Sequence, residues 1–398
     1  MVLRRGALLS GLAAAVLALG ACGDDEADTT TSGGDATGDA LRFVAIVDAA
    51  GAGDFTGSVR LGLDAALKEI NDAGGVDGRP LAVEICKAAS TPDSAAKCAR
   101  EAVRDEDVLG IVGNFMQGPD GALPVLEKAK MASIGDYGLK ANSLESPVSF
   151  PIASITSGFV NAALLPPAAL KAKRVALAAA DVPVSRAAAQ QLRGVVGQAG
   201  AELVKSVFIP VTATDLSAPV QTLRGAKADA IIVILPDQGT KQFLQAYRQV
   251  DPRTPLVVTG TTVSSRSLKE LGPAADNLYV GVQFDLDSDG QRKLAGLVSN
   301  VDGLDDIARN SYVAVRLAAR GLQGLDDPTR DGLLQALGQV EDFDVDGLTP
   351  PLDYTAKRDA FPRAALRSGY FARAQDGGLT LLASEPVPTL PGGESPDR

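Results

Sequence analysis

The sequence has no histidine and no tryptophan, and only three cysteines among its 398 residues. Without histidine there can be no Ser-His-Asp or Cys-His catalytic unit, and the commonest zinc ligand is gone. Aromatic residues make up 4% of the chain, so Ala, Val, Leu and Gly must build its interior. Basic residues are in deficit, 38 against 49 acids, for a formal charge of −11. That balance disfavours nucleic acid and anionic lipid headgroups as partners. The N-terminal apolar run, Gly6 to Ala21, is sixteen residues long, short of the roughly 20 that a membrane span needs.

What that run does have is export chemistry. It follows Arg4-Arg5 and ends in Leu19-Gly20-Ala21-Cys22. A short basic segment, an apolar core and small residues before a cut make a secretory signal peptide over residues 1–21. The Leu-Gly-Ala-Cys ending resembles the lipobox of bacterial lipoproteins, which implies that Cys22 is diacylated and becomes the new N-terminus. Cleavage would leave 36 basic and 49 acidic residues. Residues 23–40 carry six acids, no base and no large apolar side chain, so with Cys22 they read as a lipid-anchored disordered tether, 22–40. Such a coil of 18 residues reaches roughly 20–25 Å. Cys86 and Cys98 remain. An even pair in an exported chain reads as a disulfide; two buried thiols are the alternative.

The 377 residues after the leader exceed one ordinary core and predict two lobes. From Leu41 onward, apolar strand-like runs alternate with amphipathic helical stripes. Leu41–Val47 is a buried strand, and 58–72 is a helix with Val59, Leu63, Ala66, Leu67 and Ile70 on one face, stopped by Gly74-Gly75. Further strands are predicted at 81–86, 108–112, 131–134, 174–178, 204–209, 230–235, 255–259 and 278–282. Alternation at this spacing means an α/β fold with mostly parallel sheets covered on both faces. The pattern pauses near Phe150–Ser154, and after Gln283 it becomes helical, as expected if those helices return to the first lobe. The predicted division is 41–153 plus 284–342 for the first lobe and 154–283 plus 343–398 for the second.

Several loops could carry chemistry. Asp48 to Gly57 joins a strand to a helix like a dinucleotide fingerprint, but its G-x-G-x-x-x-G spacing is one residue too long. It reads as a flexible loop at a sheet edge, a common lining of clefts. Asn114-Phe115-Met116-Gln117-Gly118-Pro119 leads into a helix, with Pro119 suited to its first turn. Gly135-Asp136-Tyr137-Gly138 places a carboxylate and a phenol after the fourth strand. Asp285, Asp287 and Asp289 look calcium-like but lack the Glu that an EF-hand loop needs. They read as a solvated turn. No metal site, cofactor or catalytic residue is expected.

The run from Ala65 to Pro80, with its Asn-x-x-Gly-Gly-Val-x-Gly-Arg core (Asn71 to Arg79), closely resembles the first helix and turn of type I periplasmic binding proteins, the leucine/isoleucine/valine-binding group. Asp215 to Val220, running to Ala230, is similar to their second-lobe signature, and Cys86 and Cys98 fall where many members carry a disulfide. The resemblance implies two Rossmann-like lobes joined by three crossings, closing on a small polar solute for an ABC importer. It implies a monomer that is not an enzyme, held by lipid at the outer face of the cytoplasmic membrane and working with an ABC permease. Its ligand contacts would fall at Phe55, at Phe115, Met116, Gln117 and Gly118, at Asp136 and Tyr137, at Asp181 and Ser185, and at Asp237 and Thr262. Relatives that bind amino acids hold the carboxylate on first-lobe Ser or Thr and the ammonium on a second-lobe acid. Here Met116 to Pro119 replaces the former and Thr262 the latter, leaving Asp136, Asp181 or Asp237 to pair with an ammonium. Two other function classes are compatible with the chain: a sensor or structural lipoprotein of the same fold, and an exported hydrolase or transferase working through carboxylates, for which no paired-acid or nucleophile motif is present.

Overall fold

Residues 29–30, 38–51 and 53–393 are described by a computed structural model; the expected leader, Cys22 and most of the expected tether lie outside them. Inside the tether, Thr29–Thr30 (β1) pairs antiparallel with Glu84 and Val83, so that segment is not wholly unpaired. The first lobe continues with Leu41–Asp48 (β2), Thr56–Asp72 (α1), Leu81–Ala88 (β3), Pro92–Arg104 (α2), Val108–Val112 (β4), Pro119–Lys128 (α3), Ala132–Ile134 (β5) and Ser149–Phe150 (β6). Its sheet runs β1-β3-β2-β4-β5-β6, parallel apart from β1. Both faces are covered, which is why β2 and β4 read as continuous apolar runs. Phe43, Ala45 and Val47 face one core, whereas Val44 and Ile46 face the other, under α2 and α3. α1 ends as predicted: Gly74 and Gly75 take φ of 96° and 75°, a region glycine enters without a Cβ clash.

The second lobe follows with Ile155–Ala169 (α4), Arg174–Ala180 (β7), Pro183–Gln198 (α5), Glu202–Ile209 (β8), Ser217–Gly225 (α6), Ala230–Ile234 (β9), Asp237–Val250 (α7), Leu256–Thr259 (β10), Ser265–Leu271 (α8) and Leu278–Val282 (β11). Asp289–Leu297 (α9), Asp306–Leu322 (α10) and Arg330–Leu337 (α11) then return to the first lobe. Ser368–Gln375 (β12), Gly378–Leu381 (β13) and Val387–Pro388 (β14) complete the second sheet, ordered β13-β12-β11-β10-β9-β7-β8 with β14 on β12.

α10 is the centre of the first core, buried along nearly its whole length. It lies against α1 so closely that a Cβ on Gly62 would sit 2.0 Å from the carbonyl oxygen of Ala308. The third crossing comes later than the predicted 342/343 boundary. Val345, Leu348, Leu352, Tyr354, Ala365 and Leu366 pack in the first core, and Lys293 and Arg316 both pair with Asp346 at 2.7 Å. Weak hydrophobic periodicity after residue 343 conceals this, because the segment packs as irregular chain. The disulfide is formed: Cys86 on β3 joins Cys98 on α2, with Cα atoms 5.8 Å apart. Asp285 accepts the Asp287 N–H at 2.8 Å and Asp289 pairs with Arg292, a turn fastened by its own neighbours.

Candidate functional site

A cleft of about 590 Å³ separates the lobes. Its first wall comes from the loop after β2 and the start of α1, with Asp54, Phe55, Ser58, Arg60 and Asp64. Its second comes from the ends of β9 and β10 and the helices after them, with Asp237, Lys241, Thr261, Thr262, Arg266 and Glu270. The connection before α10 adds Ser299, Asn300 and Asp305. Ligands of open α/β sheets bind at such strand ends, where loops rather than ladders meet solvent.

Behind the first wall stands a ladder of aromatic rings. Half-buried Phe55 lies 4.4 Å from Phe115, ring centre to ring centre, and Phe115 lies 5.4 Å from Tyr137. Phe115 and Tyr137 are buried, so Phe55 is the rung that lines the cleft. Burial, with the charges of Asp306 and Asp305, pushes the Tyr137 phenol well above its ordinary pKa and keeps it neutral. Its hydroxyl accepts from Gln283 Nε2 at 2.7 Å.

Gln283 is the polar centre of the hinge. Its side-chain oxygen accepts the Ser154 N–H at 3.1 Å on the first crossing, and its own N–H donates to Asp306 Oδ2 at 2.9 Å. Asp306 is 1% exposed and sits 3.6 Å from Arg309. Burial raises this carboxyl despite the guanidinium. Gly260, at the end of β10, is pressed against the same carboxylate: a Cβ there would lie 2.2 Å from Asp306 Oδ2. Asp305 caps α10 through the Ala308 N–H at 2.8 Å and takes the Ser58 hydroxyl at 2.7 Å, while burial raises its pKa.

Of the sequence-predicted contacts, Phe55, Asp237 and Thr262 line the cleft together. Phe115 and Tyr137 stand behind Phe55. Met116 points elsewhere: it is fully buried among Val44, Ile46, Cys98 and Leu123 on the opposite face of the sheet from Phe115. Phe115 bridges to Val47 as extended backbone, so consecutive side chains must leave on opposite sides. Gly118 is a packing position, since a Cβ would fall 2.5 Å from the Thr91 backbone. The Gln117 N–H is held by Asp48 Oδ2 at 2.8 Å, and Asp48 Oδ1 takes the Ser90 N–H at 3.1 Å. Asp48, buried at the end of β2, thus ties three loops and was missed because a strand-terminal Asp has no distinctive spacing.

Asp136 is wholly buried, and burial raises its carboxyl to about 6 against the Ser143 hydroxyl and Gly138 N–H. It does not line the cleft volume. Asp181 is taken by Arg186, whose guanidinium lies over the Phe208 ring, and Ser185 is buried in the first turn of α5. Neither lines the cleft. Asp237 pairs with Lys241 at 3.2 Å, and Lys241 also reaches Glu270 at 3.0 Å. Burial alone would lower Lys241, but the two carboxylates hold it above its ordinary value. The Thr262 hydroxyl donates to the Thr259 carbonyl at 2.8 Å. Asp54, Ser58 and Arg266 line the cleft without having been predicted as contacts; the signal was their position just beyond strands β2 and β10 or at a helix start. Asp305 and Asp306, an adjacent pair of acids at a helix start that the sequence reads as solvated, are buried instead, and Asp305 lines the cleft.

This fold recurs in solved structures. The isoleucine-bound branched-chain amino acid transporter substrate-binding protein of Streptococcus pneumoniae is similar at 18% identity and a TM-score of 0.74, over 88% of this chain and 99% of that one. A solute-binding protein of R. palustris in complex with 4-hydroxybenzoate is similar at 21% identity and 0.74, over 88% and 98%. A fatty acid ABC transporter substrate-binding protein of Thermomonospora curvata is similar at 19% and 0.73, over 89% and 94%. The family model described as periplasmic binding protein matches residues 41–378. With two α/β lobes, three crossings and a cleft at the strand ends, this chain belongs to the periplasmic binding proteins and has their type I fold.

Proposed function

We propose that this chain captures a small polar solute, an amino acid or a related compound, between its lobes and hands it to an ABC permease. The observation that carries this reading is the cleft itself, walled by loop residues of both lobes and backed by a hinge of three crossings. A solute touching both walls binds the closed arrangement more tightly than the open one, and that difference in affinity drives closure. Cys22, lipidated after removal of 1–21, would hold the protein at the outer face of the membrane.

The test is a melting-temperature screen with amino acids, amides, small carboxylates and aromatic acids, followed by small-angle scattering. A binding solute raises Tm by mass action and contracts the radius of gyration. A screen that moves neither quantity removes the proposal. Metabolic labelling with a fatty acid, compared between wild type and Cys22→Ala, tests the anchor separately.

A further inference from the structure

We infer that the cleft reads its solute with the anionic end on the second lobe, at Arg266, and the cationic or apolar end on the first, at Asp54 and Phe55. This deepens the proposed function and rests on it. The inference follows from which charges in the cleft are already satisfied. Lys241 is shared by Asp237 and Glu270. Both oxygens of Asp305 are taken, by Ser58 and by the Ala308 N–H. Arg60 and Asp64 are engaged as well. Among the described residues, Arg266 lines the same space with no hydrogen bond or ion pair, and it is exposed. Asp54 caps its own turn through the Thr56 N–H at 2.9 Å but, among the described residues, has no cation.

Among its described residues, the first wall offers no competing anion site in its loops. The loop after β4 has turned Met116 into the core, committed the Gln117 N–H to Asp48 and packed Gly118 on Thr91. The loop after β5 is sealed beneath Phe115 and Phe55. A carboxylate entering the cleft therefore finds its one unpaired guanidinium, among the described residues, four positions beyond Thr262. The planar fork of an arginine fits a carboxylate through two parallel N–H donors. A solute carrying an ammonium finds Asp54 beside an aromatic face, and one without it still finds Phe55. Because the two ends are read by different lobes, a ligand that has both stabilises closure more than one that has a single end.

The mature chain should be titrated with leucine, 4-methylpentanoate, leucinamide and 4-hydroxybenzoate, reading Tm and calorimetric affinity. The inference expects at least one carboxylate to bind, leucinamide to fail, and Arg266→Gln to weaken each bound carboxylate roughly 10- to 100-fold. Arg266→Lys should recover part of that loss, and Asp54→Asn should weaken leucine but leave 4-methylpentanoate unchanged. Carboxylates that bind Arg266→Gln as tightly as wild type overturn the inference and leave solute capture standing. If leucinamide binds as tightly as leucine, the polarity is likewise wrong. If no probe binds and the wider melting screen also finds no solute, the small-solute reading fails and takes the inference with it; if that screen finds only solutes without an anionic group, the inference alone fails. Arg266 lies on the surface, so the melting curve of each unliganded variant shows directly that its fold is intact.

Discussion

The hydroxyl of Tyr137 accepts from the amide of Gln283, 2.7 Å away, so the innermost ring of the first wall is fastened to the middle crossing. The same amide takes the Ser154 N–H of the first crossing. Gln283→Leu keeps the volume but leaves a buried hydroxyl and a buried N–H without partners. Each orphan costs about 1–3 kcal/mol, so the variant should lose roughly 2–6 kcal/mol in denaturant unfolding. A loss below about 0.5 kcal/mol would mean that the hub does not hold the hinge.

Gly260→Ala should open the lobes. Its methyl would enter the space of the Asp306 carboxylate, with 2.2 Å between centres, so either α10 or the end of β10 must retreat. Overpacking of this kind costs typically 1–3 kcal/mol. Scattering should show a larger radius of gyration in Gly260→Ala than in wild type. An unchanged radius and stability would show that the contact yields without moving the lobes.

The Cys86–Cys98 bridge closes a short loop between β3 and α2. For such a loop the chain-entropy model gives about 3 kcal/mol, so the Cys86→Ser, Cys98→Ser double variant should unfold at correspondingly lower denaturant. Wild type unfolded in the presence of a reductant should match it. A bridge that contributes nothing would leave the midpoints of all three curves coincident.

Asp136 gives a pH signature of definite sign. Its folded carboxyl titrates near 6, above the ordinary value of 3.8, so between those limits the native state binds more protons than the unfolded one. Its contribution to stability is therefore greatest at low pH and declines as pH climbs from about 4 to about 6. Asp136→Asn removes that decline. The variant should differ little from wild type at pH 4 and gain on the order of 2–3 kcal/mol at pH 7. Parallel stability-versus-pH curves for the two proteins would dispose of the idea.

Phe55→Ala tests the exposed rung of the ladder. Phe55 is only half-buried, so unliganded stability should change little, whereas affinity for an aromatic or apolar probe should fall roughly tenfold as packed area is lost. Isothermal titration with whichever probe binds wild type measures it. Unaltered affinity would place the solute away from this wall.

Much of the fold was legible because its signals are local. The face from Val59 to Leu67 and the Gly74-Gly75 stop specify α1, Pro119 marks the start of α3, and the strands at 108–112 and 278–282 end where their apolar runs end. The site was less legible because it depends on direction. Loop position brought Phe55, Asp237 and Thr262 into the cleft, but only the pleat of the chain at Val47 and Phe115 decides that Met116 turns away. Charge pairing is equally invisible in a linear chain. Asp181 looked available until Arg186 folded onto it, and Arg266 gained meaning only when its neighbours proved to be occupied.

The late position of α10 in the chain also governs the order in which the protein can assemble. α1, β4 and β5 wait for a helix that the ribosome makes only after nearly all of the other lobe. A nascent chain ending before residue 306 would thus expose the apolar flank of α1, including Gly62, with nothing to cover it. The second sheet in turn lacks β12 until residue 368 has emerged. The two halves do not both hold their full set of elements until the chain has been made past residue 368.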